Sequence, residues 1–173
     1  MLPIATERSG FSDTMLKIKL ITVGSLKEDY LRRAEAEYVK RLGGFCCFEN
    51  VNLKEAKLPD DPSAGEIASA LSKEAKDIAS ALSPRAYKIA LCVEGKQYSS
   101  EKFAAALLSA SAEHSEIDFV IGSSHGLDES IKKMCDMRLS VSEMTFPHQL
   151  MRVLLLEVIY RSMNIIKGTK YHK

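Results

Sequence analysis

Hydrophobic and polar positions along this chain switch repeatedly between a period of two and a helical period, and that alternation sets the expected elements. Leu16 to Val23 alternates and then turns apolar, as a strand does; Gly24 and Ser25 break it and cap a helix reaching about Leu42. Leu31, Ala34, Tyr38 and Leu42 follow helical spacing, and Gly43-Gly44 ends that helix. Phe45 to Leu53 reads as a second strand, and residues 54–65, with Pro59, Asp60, Asp61 and Pro62, as a surface loop. A helix is expected from Glu66 to Leu82, stopping before Pro84. Tyr87 to Val93 is a strand of buried type, Glu94-Gly95-Lys96 a turn, and Ser99 or Ser100 the cap of a helix through Ala112. Ile117 to Ile121 is another strand. It meets Gly122-Ser-Ser-His-Gly126, a helix from about Asp128 to Cys135, a strand Met137 to Val141, a loop ending in Pro147, and a last helix from His148 to about Met163. Such a rhythm predicts an α/β fold, a mainly parallel sheet flanked by helices on both faces.

Composition narrows this picture. At 173 residues and 46% apolar the chain can build one core, expected over residues 15–173. Residues 1–14 lack the apolar stretch and cleavage site of a secretory signal and precede Met15, so they are expected to be a disordered extension or a start set too early. The richest apolar run, Val153 to Tyr160, is far short of the roughly 18 to 20 residues that cross a bilayer and contains Glu157. No membrane association is expected. Cys46, Cys47, Cys92 and Cys135 show no C-x-x-C spacing, which fits free thiols in a reducing cytoplasm, and His114, His125, His148 and His172 form no metal-binding pattern. No metal is expected. The net charge of +1 conceals a segregation: residues 42–147 hold 11 basic against 16 acidic residues, residues 148–173 hold 5 against 1, and residues 15–41 hold 7 against 4. Both basic ends suit a polyanion if the fold joins them, and equally suit ordinary solvated faces.

Three stretches carry candidate chemistry. Gly122 to Gly126 lies between a buried strand and a helix, where α/β folds bind ligands, but its G-x-x-x-G spacing is neither a dinucleotide fingerprint nor a Walker A loop. Ser124 and His125 lack the Gly-x-Ser-x-Gly spacing of a hydrolase elbow. In the second stretch, residues 139–152, Ser142 and Thr145 can bond the backbone locally, stiffening a loop that opens a helix. His148 and Arg152 are four apart on that helix, placing a proton acceptor and a permanent cation on one face. The tail from Lys167 to Lys173 combines Tyr171 and His172 with lysines, equipment for a phosphate backbone and an unstacked base; fraying is the ordinary alternative.

These stretches coincide with a known family. Lys17 to Gly24, Glu37 to Leu42, Leu91 to Lys96, Phe119 to Gly122 with Gly126-Leu127, Leu139-Ser140, Met144 to Gln149, Arg152, Glu157, Tyr160-Arg161 and Tyr171 to Lys173 together resemble the RlmH family of SPOUT-class methyltransferases. The family methylates N3 of a pseudouridine in 23S ribosomal RNA. Ser123 stands where this family usually has a second glycine. The resemblance implies a SPOUT-type fold with a C-terminal trefoil knot, a homodimer, and S-adenosylmethionine held by the knot loops. It implies a cofactor pocket of Leu91, Gly122, Val141, Ser142, Glu143, Met144, Thr145 and Phe146, supported by Gly95 and Gly126, and catalytic or substrate-side roles for His148, Arg152, Tyr171 and His172. A ribosome-binding factor without chemistry and a nucleotide-binding module are the alternative expectations.

Overall fold

The computed structural model describes residues 15–172; the expectation for residues 1–14 lies outside the described residues. Five strands form one all-parallel sheet in the order β2-β1-β4-β3-β5. They are β1 (Lys17–Val23), β2 (Cys47–Leu53), β3 (Tyr87–Lys96), β4 (Glu116–Ile121) and β5 (Met137–Leu139). Between and after them run α1 (Asp29–Leu42), α2 (Ala64–Ala81), α3 (Ser100–Glu113), α4 (Glu129–Met134) and α5 (His148–Ile166), and a 3-10 turn closes the described chain at Lys170–His172.

Period-two alternation divides each central strand between two cores. Ile18 and Leu20 of β1 join Ile117, Phe119 and Ile121 of β4 against Leu42 of α1, Phe103 and Leu107 of α3, and Leu155, Leu156 and Ile159 of α5. Their neighbours Ile21, Val23 and Val120 pack on the opposite face against Ala75 and Ile78 of α2 and Ile131 of α4. Helices therefore cover both faces of the sheet, as the near-continuous apolar runs of β1 and β4 required. Each fully buried Leu or Ile contributes about 1.5–3 kcal/mol of transfer free energy.

Among the boundaries that differ from expectation, three have a clear physical reason. α1 begins at Asp29 rather than at a Ser25 cap: Arg32 donates to the carbonyls of Leu26 (2.7 Å) and Lys27 (2.8 Å), fixing the 24–28 segment as a loop. α2 begins two residues before Glu66, because Ser63 and Glu66 form a reciprocal capping box. The expected turn at Glu94-Gly95-Lys96 is instead the end of β3, whose pairing to β5 shifts register between Leu91 and Lys96. Gly95 makes that path possible. A Cβ there would lie 2.5 Å from the Leu139 carbonyl carbon and 2.7 Å from the Ser140 nitrogen, so the β3 extension crosses the end of β5 where only glycine fits.

Candidate active site

All the loops that leave the strand carboxyl ends gather at one end of the sheet, where two cavities adjoin. The larger, about 440 Å³, is built by the loops after β3, β4 and β5. Leu91, Ile121, Leu139, Val141, Phe146 and Met151 give it apolar walls, while residues 122–126 and 140–146 bring irregular backbone, rich in polar groups, to its edge. Its size and composition are those of a small-molecule site. The smaller cavity, about 380 Å³, lies over the ends of β1 and β2, bounded by Gly24 and by the polar side chains of Asn52, Glu55 and Gln149. His148 lines both.

Two loops shape the larger cavity. In the 122–126 loop the Gly126 N–H donates to the Ser123 carbonyl (2.9 Å), folding the loop on itself. A Cβ on Gly122 would come within 2.0 Å of the Gly126 oxygen, so this turn excludes any side chain there. Ser123 is buried, and its hydroxyl donates to Glu74 of α2 (2.9 Å). Ser123 thus ties the loop to a helix. In the 140–147 loop the Ser140 hydroxyl donates to the Ser142 carbonyl (3.0 Å), and the Met144 N–H donates to the Ser142 hydroxyl (3.0 Å). The expected self-bracing of this loop is present, through Ser140 and Ser142 rather than Thr145.

Most residues assigned to the cofactor converge: Leu91, Gly122, Val141, Ser142, Met144, Thr145 and Phe146 line the larger cavity together with His148. Glu143 is exposed on the same loop and does not line it. Half-buried His148 has its pKa pushed below the ordinary 6.5, chiefly by desolvation and also by Arg152 and Lys27, against an opposing pull from Glu55. Its imidazole is neutral at pH 7 and can accept a proton.

Arg152 is placed differently from a cation facing substrate. It is 1% exposed, and its guanidinium donates to the carbonyls of Val23 (3.0 Å) and Gly24 and to Asn52 Oδ1 (3.0 Å). It lies behind the wall of the smaller cavity, holding Gly24 and Asn52, which line it. Tyr171 sits at the far end of α5, its hydroxyl donating to Glu157 (3.0 Å), its ring edge-on to Tyr160 and under the Arg161 guanidinium. Neither residue touches the larger cavity of its own chain. The role expected of the His172 side chain lies outside the described residues.

Sequence reasoning missed Glu74, Asn52 and Gln149. Glu74 is 4% exposed in an otherwise ordinary helix, bonding the Ala56 N–H (3.0 Å) as well as Ser123. A lone acid at a position where the α2 face is otherwise alanine and isoleucine was the available signal. Among the described residues, no group of three or more His, Cys, Asp or Glu is placed to hold a metal ion, and no helix is long and apolar enough to cross a membrane.

Comparison with known proteins decides the family. A family model described as predicted SPOUT methyltransferase matches residues 16–172. The chain belongs to the SPOUT methyltransferase family. It is 48% identical over 159 residues to "Ribosomal RNA large subunit methyltransferase H" of Streptococcus thermophilus (strain CNRZ 1066), covering 91% of this chain and 100% of that protein. The protein of the same name from Streptococcus pyogenes serotype M5 (strain Manfredo) is 46% identical with the same coverage. Among solved structures, a probable methyltransferase from Bordetella pertussis Tohama I superposes with a TM-score of 0.55 at 16% identity, over 86% of this chain and 95% of that one. A probable methylase family protein from Haemophilus influenzae Rd KW20 gives 0.53 at 14%, over 91% and 70%. These two share the fold: a parallel sheet with helices, as the alternation of periods predicted.

Proposed function

We propose that this SPOUT methyltransferase transfers a methyl group from S-adenosylmethionine to N3 of a pseudouridine in 23S ribosomal RNA, in the cytoplasm and as a homodimer. The observation that carries the reading is the convergence of seven residues from the loops after β3, β4 and β5 on one cavity beside a neutral histidine. The near full-length identity to proteins named as ribosomal RNA methyltransferases supports the substrate class. The close crossing of Gly95 over residues 138–140 supports a C-terminal chain that threads through itself as a trefoil knot.

The donor set fits the methyl donor. Apolar walls from Leu91, Val141 and Phe146 suit an adenosine ring, and bent backbone at residues 122–126 and 140–146 supplies N–H and C=O groups for its polar edges. S-adenosylmethionine brings an electrophilic sulfonium methyl. The protein's own work is to exclude water, align the base nitrogen in line with that methyl, and accept the N3 proton; the reading gives the last role to His148, which lines the cavity and whose lowered pKa favours the neutral form. When bound, the donor would release its methyl group as the new N–C bond formed, the electron pair of the S–C bond passing to sulfur.

The homodimer belongs to the same reading and rests on the role it gives Tyr171. α5 has 19 residues and spans about 28 Å, so Tyr171 beyond its end reaches a methyl-transfer centre only in a second copy. Val93 (64% exposed), Met144 (74%) and Phe146 (38%) form an apolar rim around the cavity mouth, suited to that contact. Calorimetric titration with S-adenosylmethionine tests the reading: one site per chain is expected, lost in Gly122→Ala. Absence of binding to the wild-type protein refutes it.

A further inference from the structure

The smaller cavity over β1 and β2 contains two side-chain amides whose orientation is forced. Asn52 places its Oδ1 3.0 Å from an Arg152 nitrogen and 2.7 Å from the Thr22 hydroxyl. A guanidinium only donates, so the atom facing it is the amide oxygen, and the Asn52 NH2 is left for the cavity. Gln149 repeats the arrangement: the Lys27 backbone N–H, another obligate donor, holds its Oε1 at 2.9 Å, leaving its NH2. His148, neutral at pH 7, stands beside Gln149 and lines the cavity with them. The cavity therefore offers two oriented donors and one acceptor.

We propose that this cavity receives the imide edge of the unstacked target base, the Asn52 and Gln149 amides donating to the two ring carbonyls that flank N3 and His148 facing the N3 proton. The inference rests on the methyltransferase reading and deepens it. A uracil-type imide presents acceptor, donor, acceptor; the matching edges of adenine, guanine and cytosine do not. When the N3–H bond breaks and the proton passes to His148, the negative charge left on N3 spreads to both carbonyl oxygens, where the two amides strengthen their hold. Attack on the sulfonium methyl then consumes the nitrogen lone pair. Arg152 becomes a positioning residue: it fixes Asn52 from behind and touches no reacting atom.

Two isosteric variants test this without disturbing the anchors. Asn52→Asp keeps an acceptor for Thr22 and Arg152, and Gln149→Glu keeps one for Lys27, while each deletes the NH2. With ribosomes lacking the N3 methyl group as substrate, each is expected to lower kcat about 100-fold, the usual effect of losing one donor to a developing oxyanion. S-adenosylmethionine affinity should be unchanged, and the acid limb set by His148 should move to higher pH, because each variant puts a carboxylate into the cavity that His148 lines. A wild-type kcat and pH profile in both variants, or a parallel loss of S-adenosylmethionine affinity, overturns the assignment while leaving the methyltransferase reading intact. Failure of the wild-type protein to methylate N3 overturns both.

Discussion

Ser123 donates its hydroxyl hydrogen to Glu74 across 2.9 Å of buried space, joining the 122–126 loop to the middle of α2. The other Glu74 oxygen accepts the Ala56 N–H at 3.0 Å, so one carboxylate fastens two of the segments that border the paired cavities. The neighbouring Ser124 hydroxyl reaches Glu55 at 3.4 Å, a second, weaker tie between the same segments.

Removing that carboxylate strands two donors, the buried Ser123 hydroxyl and the part-buried Ala56 N–H. Glu74→Ala is expected to cost about 3 kcal/mol, and Ser123→Ala about 1–2 kcal/mol, since a bond to a charged group contributes more than a neutral one. Urea denaturation of the two variants measures this. An unchanged midpoint for Glu74→Ala would show that the tie contributes nothing.

Gly122 and Gly95 are expected to be intolerant for steric rather than conformational reasons. Gly122→Ala drives a methyl group to within 2.0 Å of the Gly126 oxygen, and Gly95→Ala to within 2.5 Å of the Leu139 carbonyl carbon. Both should destabilise at or above the top of the roughly 1–3 kcal/mol range for overpacking. Gly122→Ala should in addition abolish S-adenosylmethionine binding. Thermal melting and calorimetry separate the two effects.

Arg152→Ala leaves two carbonyls and the Asn52 amide oxygen without their cation, with an expected loss of about 2–4 kcal/mol in stability. Arg152→Lys keeps the charge without the planar fork and should fall between. If instead Arg152→Ala melts like the wild type and only turnover suffers, the guanidinium acts on substrate rather than as a support behind the cavity wall.

The pH dependence follows from His148. Burial holds its pKa below 6.5, so the acid limb of the rate profile should lie below 6.5, with activity falling as the imidazole takes up a proton. Glu55 pulls that pKa upward, so Glu55→Gln should move the limb to still lower pH. His148→Ala should remove the limb. A profile unaffected by His148→Ala would assign proton removal to solvent.

Much of this architecture was legible in the chain. Residues 16–23, alternating and then turning apolar, and the apolar run 117–121 marked strands, and Ser99, one of two caps expected, closes the start of α3 because a side-chain oxygen before a helix has one strong use. Gly95 was misread because a glycine between two charged residues signals a turn locally, while its actual constraint, the backbone of residues 138–140, is more than forty positions away. The same distance hid the Asn52 and Gln149 amides, whose orientations depend on Arg152 and on the Lys27 backbone. His148 and Arg152 do share a helix face. Spacing alone could not show that one ends in a cavity wall and the other behind it.

The central claim is methyl transfer to one nitrogen of one base. Ribosomes from cells lacking this methylation, incubated with the protein and S-adenosylmethionine carrying a labelled methyl group, should gain one label per 23S rRNA, located by mass spectrometry of nuclease digests as 3-methylpseudouridine. Label on another atom or nucleotide, or none at all with the wild-type protein, would contradict the account.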